Sequence, residues 1–316
     1  YDKVFVSKVF TDTPCPTEVL QLPNVEYGGT GFFYDKAPPL SDEVEHHFPD
    51  YSLYTPYITQ ALENGVKKTA LAEYTDYSIG FLTRGCFRQC PFCVNRNYNR
   101  AVLHSPIEEF YDPARSKICL LDDNFFACSA WRERLTELQT LKKPFKFKQG
   151  LDERLLTPEK CELLFQSKYA GAYTFAFDNV SDAELITEKL KLIRQYSSCV
   201  PVFYVFCVFD RNDKWDLDFW VQDLRDIFIR LRILGDYSCS PYIMRFLRHV
   251  ESPFRRIYVN LARWCNQFSF FKKLSFLEFC KRSGPGSYEN TTQFLAQYPD
   301  FEKSMTTVYF KAQKEA

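Results

Sequence analysis

Between about residue 77 and residue 246 the chain alternates, six times over, between an apolar run of strand length and a segment with a helix-start signal and helical period. The apolar runs are residues 78–82, 118–121, 145–148, 173–177, 202–209 and 241–246. Helices fit between them. Ser105-Pro106-Ile107-Glu108 and Ser181-Asp182-Ala183-Glu184 have capping-box spacing, and Thr157-Pro158 places a cap residue before a proline at the first helical position. Leu217, Trp220, Leu224, Ile227, Phe228 and Leu231 keep a three-four period that is expected to stop at Gly235. Strands alternating with helices of this length pair in parallel through right-handed crossovers, so the expected fold class is α/β with a barrel-like sheet. Six units are too few for a complete eightfold barrel. In such sheets ligands bind at the carboxyl ends of the strands, so polar residues just after each strand are the functional candidates.

The 316 residues are 46% apolar and 17% aromatic, with 40 Lys+Arg balanced by 40 Asp+Glu, which excludes a disordered polyelectrolyte and a collagen-like or mucin-like chain. There is no apolar run of about 20 residues and no signal-peptide pattern, so a soluble, cytoplasmic protein with no membrane partner is expected. Residue 1 is Tyr rather than Met, which leaves open a processed start or further sequence upstream. Of twelve cysteines, nine are scattered: Cys15, Cys119, Cys128, Cys161, Cys199, Cys207, Cys239, Cys265 and Cys280. Several sit inside apolar runs and read as reduced core thiols. The other three stand together.

They lie in Thr83-Arg84-Gly85-Cys86-Phe87-Arg88-Gln89-Cys90-Pro91-Phe92-Cys93, after the first strand, with C-x3-C-x2-C spacing. Three thiols within eight residues cannot all pair as disulfides and suit a single inorganic centre. A structural zinc site wants four ligands, and the nearest histidine is His104, eleven residues past Cys93 across helix-forming sequence. A cubane iron-sulfur cluster held by three thiolates leaves one iron without a protein ligand, where a small molecule can bind.

This motif, with an aromatic just before its third cysteine and a strand-helix series around it, resembles the radical S-adenosylmethionine (SAM) superfamily. The resemblance covers about residues 77–246 and implies a partial (β/α)6 barrel of the radical SAM type. It also implies a [4Fe-4S] cluster and SAM as cofactors, with an electron donor such as flavodoxin or ferredoxin. In that family the open iron chelates SAM, and one electron cleaves the sulfonium to methionine and a 5'-deoxyadenosyl radical that abstracts hydrogen from substrate. Carried over by position, Cys86, Cys90 and Cys93 match the cluster ligands and Phe92 the aromatic beside the adenine. Leu121-Asp122-Asp123-Asn124 stands where the family often has a Gly-Gly-Glu-like turn to the SAM amino group, so Asp122, Asp123 or Asn124 is expected to make that contact. Arg154 is the candidate for the SAM carboxylate, Gln149 or Asp152 for the ribose, and Asp178 points into the expected mouth. Each has a plainer reading: Phe92 as packing against the sheet, the polar residues as caps or salt bridges. The alternative function is a zinc-stabilised or structural iron-sulfur protein that binds nucleic acid without cleaving SAM.

Residues 1–75 read as a small N-terminal appendage, with a strand at Val4-Phe5-Val6, a Gly28-Gly29-Thr30-Gly31 turn and a proline-rich connection. Val6-Ser7-Lys8-Val9-Phe10, Tyr27-Gly28-Gly29-Thr30-Gly31 and Pro49-Asp50-Tyr51-Ser52 resemble the tail of the cobalamin-binding-type domain of one branch of the superfamily. Asp-x-His-x-x-Gly is missing and the segment is short, so a truncated remnant without cobalamin is expected. The glycine turn could cradle a phosphate, but it lacks the Lys-Ser/Thr of a P-loop, and a structural turn is favoured. Residues 247–316 read as a helical C-terminal extension. Within 241–282, nine Lys/Arg against two acids are interleaved with aromatics, a pattern that fits single-stranded nucleic acid or, more commonly, the wet face of amphipathic helices over a core.

Overall fold

In the computed structural model, which describes residues 2–312, each of the six apolar runs contains a strand. Tyr1 and residues 313–316, the outer ends of the expected N- and C-terminal segments, lie outside the described residues. The chain divides into two compact units, residues 1–131 and 132–316.

The first unit opens with β1 (Val4–Ser7) and β2 (Val25–Gly28), a parallel pair joined through the short helix Thr17–Leu20. The second strand of this pair is an addition to the sequence reading. The glycine turn after β2 is structural: Gly31 N–H donates to the Lys8 carbonyl (2.8 Å) and the Thr30 hydroxyl to the Val9 carbonyl (2.9 Å). The unit continues with β3 (Tyr77–Gly80), β4 (Thr83–Arg84), β5 (Val102–Leu103) and β6 (Lys117–Leu120). Strand β3 runs parallel to β6, whereas β4 and β5 form a two-residue antiparallel ribbon. Ile118, Cys119 and Leu120 are all buried, as expected of a parallel strand covered on both faces.

No long helix separates β3 from β6, contrary to the capping-box reading of Ser105-Pro106-Ile107-Glu108. Ile107–Glu109 makes only a 3-10 turn with no side-chain cap. Pro113 disfavours helical backbone at Asp112, and Ser105 is turned to His104 instead. The stretch between Cys93 and His104, read as helix-forming, is likewise turns leading into β5.

The second unit contains β7 (Phe145–Phe147), β8 (Thr174–Ala176), β9 (Val202–Cys207) and β10 (Ser240–Arg245). The last three form one parallel sheet in the order β10-β9-β8. Their connections are the helices Ala183–Tyr196 and Leu217–Asp236. Along β9 Phe203, Val205 and Cys207 are buried and alternate with half-buried Val202, Tyr204 and Phe206. The helix Leu217–Asp236 packs on β9 and buries Trp220, Leu224, Ile227, Phe228 and Leu231, each contributing about 1.5–3 kcal/mol of apolar transfer. It ends at Asp236, one residue past Gly235, and position 235 requires glycine for a second reason: a Cβ there would lie 2.5 Å from the Tyr309 carbonyl oxygen.

Thr157 caps the helix Pro158–Gln166 as expected, accepting the Lys160 N–H. The box expected at Ser181 is replaced by a 3-10 turn, Val180–Asp182, whose cap is the Asn179 side chain. Beyond β10 the chain is helical, with Arg255–Cys265 against β10 and Phe276–Ser283 opened by a full capping box from Ser275 and Glu278. Asn266 blunts the outer edge of β10: its Oδ1 accepts the Ile243 N–H (2.7 Å) and its Nδ2 donates to the Ile243 carbonyl (3.2 Å). The observed architecture is α/β with several small parallel sheets, and no closed barrel is found among the described residues. No helix among these residues is long and apolar enough to cross a membrane.

Candidate functional site

The ribbon β4–β5 closes the base of a loop, residues 85–101, that carries Cys86, Cys90 and Cys93. Three consecutive residues after β6 hold this loop. Asp122, fully buried, accepts the Thr83 N–H (2.7 Å), the Thr83 hydroxyl (2.6 Å) and the Leu82 N–H (3.3 Å). Burial pushes its carboxyl up to about 6, although the bonds from Thr83 and Leu82 oppose the rise. Asp123 Oδ2 accepts the Gly85 N–H (2.7 Å) and Oδ1 accepts the Asn95 side-chain amide (2.6 Å), with the Arg84 guanidinium 3.7 Å away. One carboxylate thereby ties the residue before Cys86 to the residue two past Cys93. Asn124, 3% exposed, donates its Nδ2 to Cys86 Sγ (3.3 Å). Gly85 has φ +93°, and a Cβ there would collide with the Arg100 carbonyl oxygen, so the entry to the loop requires glycine.

All three loop cysteines are reduced and half-buried. Cys86 Sγ accepts the Arg88 N–H and Cys93 Sγ the Asn95 N–H, both at 3.4 Å, and Cys93 N–H closes a turn on the Cys90 carbonyl (2.9 Å). Gln89 at φ +49° makes the bend between the first two thiols. Seven of the other nine cysteines are buried, and burial pushes Cys161 up to about 11 and Cys239 up to about 12, as befits inert core thiols. Cys15 and Cys199 are half-buried. Phe92 is half-buried, and its carbonyl accepts the Tyr34 hydroxyl (2.9 Å).

Among the described residues no three His, Cys, Asp or Glu side chains form a group that could hold a single metal ion. The donor set nevertheless fits an iron-sulfur cluster: accessible thiols on one loop, with N–H groups directed at two of the sulfurs. It fits tetrahedral zinc less well. His104 meets Ser105 Oγ through Nδ1 (2.9 Å) and Glu45 through Nε2 (3.1 Å), so both ring nitrogens are engaged.

In the second unit Gln149 is exposed at the end of the β7 segment. Asp152 accepts from Arg154 Nε (2.7 Å), and Arg154 Nη1 reaches Asp182 (3.0 Å), so the expected carboxylate-binding arginine lies between two acids. Asp178 accepts the Phe206 N–H (3.3 Å), and burial pushes its carboxyl up. The sequence reading missed Glu153, which is fully buried. Its Oε2 accepts the Ala176 N–H (3.2 Å), whereas its Oε1 has no partner. Burial, reinforced by neighbouring Asp152, pushes this carboxyl up to about 8, so it carries its proton at neutral pH.

Arg230 was also missed, because its helical position resembles any other. It is 2% exposed and donates Nη1 to the carbonyls of Phe177 (2.9 Å), Asp178 (3.1 Å) and Phe206 (2.7 Å), joining the ends of β8 and β9. Beside it, Asp223 accepts the Val208 N–H with both oxygens (3.2 Å) and holds this β-branched residue at φ +68°.

In 241–282, Tyr258, Trp264 and Phe271 are fully buried, and Trp264 Nε1 donates to the Leu274 carbonyl (3.1 Å). Arg255, Arg256, Arg263, Lys272, Lys273, Lys281 and Arg282 are exposed. The central rings therefore belong to the core, beneath a cationic helix face.

Fold and loop together define an α/β protein of several small parallel sheets with a braced three-thiol loop after β3. No family model matches the chain, and no curated protein matches it.

Proposed function

We propose that this chain is a radical SAM enzyme of the partial (β/α)6 barrel type, with Cys86, Cys90 and Cys93 holding a [4Fe-4S] cluster. The observation that carries the proposal is the loop itself: three half-buried thiols in eight residues, with N–H bonds to Cys86 and Cys93, and Asp123 tying the residue before the first thiol to the residue two past the third. The parallel pairings β3–β6, β8–β9 and β9–β10 support the barrel reading. When bound, the cluster supplies an electron that cleaves SAM to methionine and a 5'-deoxyadenosyl radical, which takes hydrogen from the substrate.

The chain's own residues hold and shield this chemistry. Asp122 fixes the turn into the loop, and Asp123 ties Gly85 before the first thiol to Asn95 after the third. Phe92 is assigned to the adenine. The electron comes from a flavodoxin or ferredoxin-type partner. Nucleic acid is the first substrate class to test, on the exposed cations between Arg255 and Arg282, with salt-sensitive retention as the readout.

The deciding assay is anaerobic reconstitution with iron and sulfide, followed by dithionite and SAM, with products identified by mass spectrometry. The expected products are 5'-deoxyadenosine and methionine, lost when Cys86, Cys90 or Cys93 becomes Ala while circular dichroism is unchanged. A colourless protein carrying one zinc per chain would overturn the proposal.

A further inference from the structure

Asn124 occupies a position where the superfamily resemblance leads one to expect a contact with SAM, yet its amide nitrogen lies 3.3 Å from Cys86 Sγ. We propose that Asn124 tunes the reduction potential of the centre held by Cys86, through this side-chain N–H···S hydrogen bond; the inference rests on the iron-sulfur reading of the loop.

A donor aimed at a ligating sulfur stabilises negative charge there, and the reduced form of a cluster carries one more electron than the oxidised form. The donor therefore favours reduction and raises the potential. Its influence is greatest away from water, and Asn124 is 3% exposed, next to Phe125 and Phe126, which are buried. Its backbone is fixed as well, because its carbonyl accepts the Ala127 N–H (3.1 Å) at the start of a 3-10 turn. Cys86 accepts a second bond from the Arg88 backbone and Cys93 one from the Asn95 backbone. Those donors survive any side-chain change. The Asn124 amide is a side-chain donor to Cys86, and a substitution can remove it.

Asn124→Ala removes the group, and Asn124→Asp keeps its shape while exchanging the donor for an acceptor. Both variants are reconstituted anaerobically beside the wild type, and the midpoint is measured by potentiometric titration monitored by electron paramagnetic resonance. Iron and sulfide content are counted on the same samples. The expected result is an undiminished iron content with the midpoint moved to more negative potential in both variants, further for Asp. Wild-type midpoints in both variants would overturn the inference, and so would loss of iron in both with a native circular dichroism spectrum, since Asn124 would then serve only to build the loop. A wild-type chain that assembles no cluster would overturn the radical SAM reading together with this inference. A wild-type chain that cleaves SAM while its variants keep its potential would overturn this inference alone.

Discussion

Replacing Glu153 by Gln converts a titrating buried acid into a neutral group of the same shape, and the consequence for stability depends on pH in a way that can be worked out. The Glu153 carboxyl titrates at about 8 in the folded chain against 4.5 for an ordinary glutamate. Below pH 4.5 it is protonated in both states and the full stability is present. Above that value the unfolded chain releases its proton while the folded chain keeps it, so stability falls by about 1.4 kcal/mol per pH unit. The fall ends near pH 8, after a total on the order of 5 kcal/mol. The amide of the Glu153→Gln variant does not titrate. Its NH2 would bury two donor hydrogens where the protonated acid buries one at the unpartnered Oε1, a pH-independent penalty of about 1–3 kcal/mol. The stability of Glu153→Gln relative to wild type is therefore expected to rise steadily from pH 5 to pH 8, changing from a deficit to an advantage. Urea unfolding at each pH, followed by tryptophan fluorescence, measures this, because Trp215, Trp220 and Trp264 all lie in the unit that contains Glu153. A wild-type–variant difference that stays constant across this range would refute the assignment of a buried, protonated carboxyl.

Two further outcomes follow from packing and capping. Gly235→Ala, which would ordinarily strengthen a helix, is expected to destabilise by about 1–3 kcal/mol, because the new methyl meets the Tyr309 carbonyl; a raised melting temperature would contradict this. Thr157→Ala removes the side chain that accepts the Lys160 N–H and is expected to cost about 1 kcal/mol in urea unfolding, whereas Thr157→Ser should restore most of it.

The strands were legible because burial writes itself into sequence as runs of Val, Ile and Phe, and each of the six runs holds one. The long helix from Leu217 was legible for the same reason, through its three-four period. Local signals were less dependable where tertiary contacts compete with them. The box at Ser105 gave way to a histidine contact and to Pro113, and Gly235, one residue before the helix ends, is small because a neighbouring chain segment passes against it. The thiol loop was legible from spacing alone. Its bracing was only half so: acids after β6 were visible, but that Asp123 ties Gly85 to Asn95, and that Asn124 faces Cys86, depends on contacts 28 to 38 residues apart. Glu153 and Arg230 were invisible, since nothing in a sequence distinguishes a surface charge from one enclosed by the fold. Burial of Trp264 likewise depends on helix orientation, which an interleaved basic and aromatic pattern does not specify.

The central claim is that three cysteine sulfurs hold a cluster with one iron open to SAM. Mössbauer spectroscopy of protein reconstituted anaerobically with iron-57, recorded with and without SAM, tests it directly. Four irons per chain are expected, of which SAM perturbs a single one while the other three keep tetrahedral sulfur parameters. Four irons of equal character that are indifferent to SAM, or a chain that takes up no cluster at all, would contradict it.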